Sequence, residues 1–222
     1  MSGRSNAAET LSRRTFIDHC SLILAALAGP GLAASQPLIL VVGDSLSAEY
    51  GIARGRGWVA LLQQRLDRER PGAKVVNASI SGDTTAGGLS RLPALLRQHR
   101  PTHVLIELGG NDALRGLPIA STHDNLTAMV RAAQAAGAQV VLLGMQVPPN
   151  YGKVYTDAFA AVFTEVAKAQ KAAVLPFLLK GVADVPRADE LFQADRIHPR
   201  EAAHPVMLDN VWPVLVSLLP AR

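Results

Sequence analysis

Ser45 follows an apolar run, residues 38–42, in the order Gly43-Asp44-Ser45-Leu46, so it falls where a strand gives way to a tight turn. A serine hydroxyl is a poor nucleophile until a base takes its proton. The best candidate base is His198, in Asp195-Arg196-Ile197-His198-Pro199. Asp195 can fold back and accept from the other ring nitrogen, fixing the tautomer and stabilising the imidazolium. These are the parts of an acyl-transfer mechanism, which also needs donors for the oxyanion; loss of one donor typically costs roughly a hundred- to a thousandfold in rate. Gly82 could offer an unhindered backbone N–H and Asn111 its side-chain amide. With the Ser45 N–H they would make a three-donor hole.

Each feature also has a plainer reading. A Gly-Asp-Ser turn can simply start a helix, since Asp and Ser are good caps. An Asp-x-x-His pair can sit on any surface, and Gly109-Gly110-Asn111-Asp112 can be only a loop. What weighs against coincidence is placement. Short apolar runs at 38–42, 74–78, 103–108, 139–143 and 173–176 alternate with segments of helical period, the pattern of a parallel sheet wrapped by helices. Helices are expected at 58–68, 89–99, 125–136 (ending at Gly137) and 157–171, with a last one over 202–219 bent or broken near Pro213. The fold expected is a three-layer α/β/α sandwich with a five-stranded parallel sheet. Ligands bind such sheets outside the carboxyl ends of the strands, where Ser45, Gly82 and Asn111 fall.

Composition narrows the alternatives. With 222 residues and 49% hydrophobic content, the chain can bury the core of one domain, assigned to 36–222. Its net charge of +4 is spread among Asp and Glu without a basic run, so no nucleic-acid partner is expected. His99, His103, His123 and His204 lack partners at metal-binding spacing, and no metal site is assigned. Gly55, Gly57 and Ala60 match the spacing of a dinucleotide fingerprint. They do not directly join a strand to a helix, so the fingerprint is rejected.

Residues 1–35 read as a signal peptide: a charged start, an apolar stretch over 20–28, the breakers Gly29, Pro30 and Gly31, and small residues suited to cleavage after Ala33 or Ser35. Within it, Ser12-Arg13-Arg14-Thr15-Phe16-Ile17 resembles a twin-arginine export motif, although Asp18 stands where a basic residue is usual. The apolar stretch is shorter than the roughly 20 residues that span a bilayer. The expectation is an exported, periplasmic or secreted protein without a stable membrane anchor, whose one protein partner is the export machinery. The only cysteine, Cys20, lies in this leader.

The blocks Gly43-Asp44-Ser45-Leu46, Gly82, Gly109-Gly110-Asn111-Asp112 and Asp195-Arg196-Ile197-His198 resemble those of the SGNH (GDSL-type) hydrolase family. Residues 57–62, 77–85, 91–98 and 107–116 are similar to its bacterial thioesterase I, lysophospholipase and arylesterase branch. The resemblance covers nearly the whole chain after the leader. It implies a flavodoxin-like sheet, no metal or organic cofactor, and hydrolysis of small-molecule thioesters, aryl esters or lysophospholipids through an acyl-enzyme. It implies the same roles for Ser45, Asp195, His198, Gly82 and Asn111. It also implies that residues 113–118, with Leu114 and Leu117, form a mobile loop over the acyl chain, and that 147–152, with Val147 and Pro148, line the same groove. The triad says little about the alcohol released. A carbohydrate O-deacetylase on the same scaffold, or a non-catalytic exported binding protein, are the alternatives; Leu114, Leu117, Ile119 and Val147 favour an acyl chain.

Overall fold

Five apolar runs pair into one sheet: β1 (Leu38–Gly43), β2 (Lys74–Asn77), β3 (His103–Glu107), β4 (Gln139–Leu143) and β5 (Ala173–Leu175). The computed structural model describes residues 36–220 and Met1. The leader reading, with Arg13, Arg14 and Cys20, lies outside the described residues. Gln36–Arg222 is a compact unit of its own. All pairings are parallel and the strand order is β2-β1-β3-β4-β5. The middle strands are the ones buried along nearly their whole length, which is why they read as continuous runs of Val, Ile and Leu.

Among the described residues there are seven α-helices: α1 (Trp58–Glu69), α2 (Thr85–His99), α3 (Gly110–Leu114), α4 (Ile119–Ala135), α5 (Lys153–Gln170), α6 (Ala188–Leu191) and α7 (His204–Val216). Contacts of α1 with α7 build one layer, and contacts of α4 with α2 and α5 build the other. The sandwich expected from the sequence is therefore observed. Its core includes Trp58, Leu62, Leu105, Leu126 and Phe163, each fully buried. A buried side chain of this size contributes about 1.5–3 kcal/mol over an exposed one. No helix among the described residues is long and apolar enough to cross a membrane.

Several helix boundaries differ from the sequence expectation. The second helix begins at Thr85, not at 89, although Gly87 and Gly88 are poor helix formers. Thr84 caps it by accepting the Gly87 N–H at 3.2 Å, and the Asp112 carboxylate takes the Thr85 N–H at 2.9 Å. Gly88 is needed for contact: a Cβ there would come within 2.3 Å of the Leu108 side chain. The fourth helix begins at Ile119 rather than 125, directly after Pro118, and its polar first turns include a buried Thr122. Its end matches expectation, with Gly137 in the left-handed region at φ 85°. The fifth begins at Lys153 rather than 157, with Lys153 and Asp157 paired at 2.7 Å. The last is not broken at Pro213. A 3₁₀ turn over Glu201–Ala203 leads into α7, which runs through Pro213 to Val216. Pro213 removes the donor to the carbonyl of Asp209, and Asp209 is exposed, so water can replace it.

Candidate active site

The strand order places a switch point between β1 and β3, whose chain connections leave toward opposite sides and open a crevice at the carboxyl edge. Ser45 follows β1 and Asn111 follows β3. The Asp44 carboxylate organises the first turn, its Oδ1 accepting the Leu46 N–H at 3.0 Å. Asp44 is buried, with this carboxylate oxygen turned onto the backbone of its own turn, the arrangement of an orienting residue.

His198 reaches Ser45 from the C-terminal part of the chain. Its Nε2 lies 2.9 Å from Ser45 Oγ, and its Nδ1 lies 2.7 Å from Asp195 Oδ2. The other carboxylate oxygen of Asp195 accepts the N–H groups of Ile197 and His198 at 2.9 and 3.0 Å. The bond to the His198 ring, and then those to the His198 and Ile197 backbone, pull the Asp195 carboxyl down to about 2. Asp195 therefore stays an anion, able to hold Nδ1–H and leave Nε2 free to accept from Ser45.

The segment that carries this pair is tied down by its own short bonds. Phe192 and Pro199 form an antiparallel bridge, and the Arg200 side chain donates to the Phe192 carbonyl at 2.6 Å. Gln193 donates to the carbonyls of Tyr50 and Pro199 at 2.9 and 3.2 Å. Arg196 sits at φ 57°, an uncommon conformation for a non-glycine residue that turns the chain between Asp195 and His198. The Tyr50 ring packs on the His198 imidazole, with centroids 4.2 Å apart. Neither Tyr50 nor Gln193 was legible as a site residue. Each acts through a contact more than a hundred positions away, and no local motif marks it.

The expected oxyanion donors are on neighbouring loops. Asn111 donates one amide N–H to Asp44 Oδ2 at 3.0 Å, which leaves the second available. Gly82 adopts φ 79°, and its carbonyl accepts from Arg115 at 2.7 Å, linking the loop after β2 to the loop after β3. Among the described residues, the backbone N–H groups of Ser45 and Gly82 have no acceptor. Asp112 is buried with its oxygens on Thr85, so it anchors α2. Glu107, at the end of β3, is a buried acid that sequence reasoning did not single out; the one available signal was an ionisable residue closing an apolar strand.

Leu114 and Leu117 are exposed, Val147 is half-buried and Pro148 exposed, all on connections at the carboxyl edge of the sheet. Tyr50, Ile80, Tyr151, Val154 and Ile197 are exposed on the same set of connections. The glycines of the rejected fingerprint serve a local turn instead, Gly55 and Gly57 donating their N–H groups to the Glu49 carboxylate at 2.9 and 2.8 Å. His103 and His204 are buried, and burial pushes both below the usual histidine range.

The profile of the GDSL-like Lipase/Acylhydrolase family matches residues 41–206. The chain belongs to this family. It is 56% identical over 187 residues to esterase TesA of Pseudomonas aeruginosa, covering 84% of this chain and 91% of that one. It is 43% identical over 177 residues to thioesterase 1/protease 1/lysophospholipase L1 of Escherichia coli, covering 80% of this chain and 82% of that one. Among solved structures, that of TesA superposes with a TM-score of 0.79 at 55% identity, covering 82% of this chain and 99% of that one. The family member described here is a serine ester hydrolase, and its substrates are small-molecule esters.

Proposed function

We propose that Ser45 is the nucleophile, His198 the general base and acid, and Asp195 the residue that orients His198. The observation that carries this reading is the unbroken chain of contacts from Ser45 Oγ to His198 Nε2 at 2.9 Å and from His198 Nδ1 to Asp195 at 2.7 Å. Ser45 Oγ attacks the acyl carbonyl carbon as its proton passes to His198 Nε2. The oxyanion is held by the N–H groups of Ser45 and Gly82 and the free amide N–H of Asn111. Collapse of the tetrahedral intermediate breaks the bond to the leaving thiolate or alkoxide, which takes the proton from His198. Water then attacks the Ser45 acyl ester by the same route and frees the acid.

The acyl chain runs along Leu114, Leu117, Val147 and Pro148, apolar residues bordering the crevice. The substrate classes that fit are acyl thioesters, aryl esters and lysophospholipids. Thioesters and lysophospholipids are in keeping with the name of the Escherichia coli relative. The composition of residues 1–35 supports cleavage of a leader and delivery of 36–222 as one exported domain, by the twin-arginine route if Arg13 and Arg14 are read by that receptor. Replacing both arginines by lysine should stop export on that route.

The test is a purified Ser45→Ala protein assayed with a short p-nitrophenyl ester, beside the unmodified chain treated with an organophosphate and weighed. Loss of hydrolysis and a single adduct on Ser45 are expected. Hydrolysis at the unmodified rate by Ser45→Ala would sink the assignment. A panel of acyl-CoA, lysophospholipid, aryl ester and acetylated sugar then ranks the substrates, and preference for the sugar would replace the acyl-chain reading.

A further inference from the structure

Glu107 is fully buried behind the turn that presents Ser45. Its Oε2 accepts the Asp44 N–H at 3.2 Å and the Ser47 hydroxyl at 2.8 Å, and the Ser47 oxygen in turn accepts the Trp58 indole N–H at 3.2 Å. Its other oxygen, Oε1, is buried and receives no donor among the described residues. A carboxylate there would leave charge unpaired in the interior, a costly arrangement that a proton relieves. Asp44 is placed differently. Each of its carboxylate oxygens has a donor, Leu46 N–H on one and the Asn111 amide on the other, both at 3.0 Å. A proton shared between the two carboxyl groups would give Oε1 a role and remove one of two adjacent buried charges. Donors on Asp44 and none on Glu107 Oε1 put that proton on Glu107.

We propose that Glu107 is a positioning residue that works as a neutral acid: its proton is given in a hydrogen bond to Asp44, which fixes the Asp44 carboxylate and, through it, the Asn111 amide and the Ser45 turn. The inference rests on the reading of Asn111 as an oxyanion donor. Burial and the Asp44 charge push the Glu107 carboxyl well above the usual range, and burial raises Asp44 to about 6. Of the charged groups around the pair, Asp44 acts on Glu107 and His198 acts on Asp44. From α2, Arg91 approaches the Gly43 carbonyl at 3.4 Å while paired with Asp83 at 2.8 Å. From α7, His204 accepts the Trp58 backbone N–H at 3.1 Å. The consequence is an alkaline limit on activity that belongs to Glu107: once its proton leaves, two adjacent negative charges repel and the anchor of Asn111 shifts.

The experiment compares kcat and KM for a p-nitrophenyl ester, with Asn111 and Glu107 variants side by side, from about pH 5 to about pH 10. Glu107→Ala should lose about tenfold or more in kcat with little change in KM, since an oxyanion donor acts in the transition state. Glu107→Gln, whose amide can still donate to Asp44, should rescue most of that loss at neutral pH and move or abolish the alkaline fall in kcat. Infrared difference spectra of the unmodified protein at neutral pH should carry the C=O band of a protonated buried carboxyl, which gives a readout even if a variant fails to fold. The proposal is overturned if folded Glu107→Gln is as impaired as Glu107→Ala, if its alkaline limb is unchanged, or if that band is missing. Failure of the underlying reading looks different: Asn111→Ala would keep the full kcat whatever the Glu107 variants do.

Discussion

Asn111→Ala tests the oxyanion reading most directly, because the structure divides the work of one amide. One N–H goes to Asp44 Oδ2 at 3.0 Å and the other is free to meet developing charge. The substitution removes one of three proposed donors, so kcat should fall by about 10²–10³, equivalent to about 2.7–4 kcal/mol of transition-state stabilisation. KM should change little, since the ground-state carbonyl carries less charge than the oxyanion. The same change strips one donor from a buried carboxylate, which should cost on the order of 1.5–3 kcal/mol of folding stability at neutral pH, from loss of a charge-assisted hydrogen bond. Steady-state kinetics with a p-nitrophenyl ester and urea unfolding of the same preparation separate the two effects. Retention of kcat within about threefold, or a loss that appears wholly in KM, would refute the assignment of Asn111 as a transition-state donor.

Asp195→Asn should lower kcat by about 10³–10⁴, because an amide that turns its NH₂ to the ring favours the wrong His198 tautomer; thermal melting should hardly move, since Asp195 is exposed. Gly43→Ala should lower the melting temperature by about 2–10 °C through an overpacking cost of about 1–3 kcal/mol. Its Cβ would lie 2.8 Å from both Glu107 Oε2 and Ser47 Oγ, and an unchanged melt in calorimetry would show that this turn is looser than described. Asp44 has a folded pKa of about 6 against 3.8 in a free chain. Its stabilising contribution is therefore fully present below about 4 and lost as pH rises through about 6, at a cost on the order of 3 kcal/mol. Asp44→Asn should flatten the stability profile over that window in denaturant titrations, and an identical slope in both proteins would count against the raised pKa.

The Ser45, Asp195 and His198 constellation was legible because each part keeps its signal within a few residues: a strand-ending Gly-Asp-Ser turn and an Asp-x-x-His loop. The three middle strands were legible for the same local reason, their runs of buried aliphatic residues, and the half-buried edge strands by shorter apolar runs. Helix starts were harder. Thr85 begins α2 because a carboxylate from another loop, Asp112, takes its N–H, and glycines at 87 and 88 hide the helix from any propensity argument. Pro213 misled in the opposite direction, since the cost of a lost donor depends on whether water reaches the orphaned carbonyl. Glu107, Tyr50 and Gln193 could not be read from neighbours in sequence, because what makes each matter is a contact with a distant segment.

The bond between Ser45 and His198 joins residues 153 positions apart, and the loop that supplies the histidine is closed by its own bonds among Phe192, Gln193, Pro199 and Arg200 and tied to the Tyr50 carbonyl through Gln193. During synthesis from the N-terminus, the hydroxyl is made long before its proton acceptor. If Ser45 and His198 play the proposed roles, a nascent chain carries no esterase activity, and acyl chemistry begins only when the final stretch has docked on the sheet. On the proposed roles, turnover is thereby a signature of completed folding, because the histidine docks together with α7, whose buried face closes one of the two helical layers.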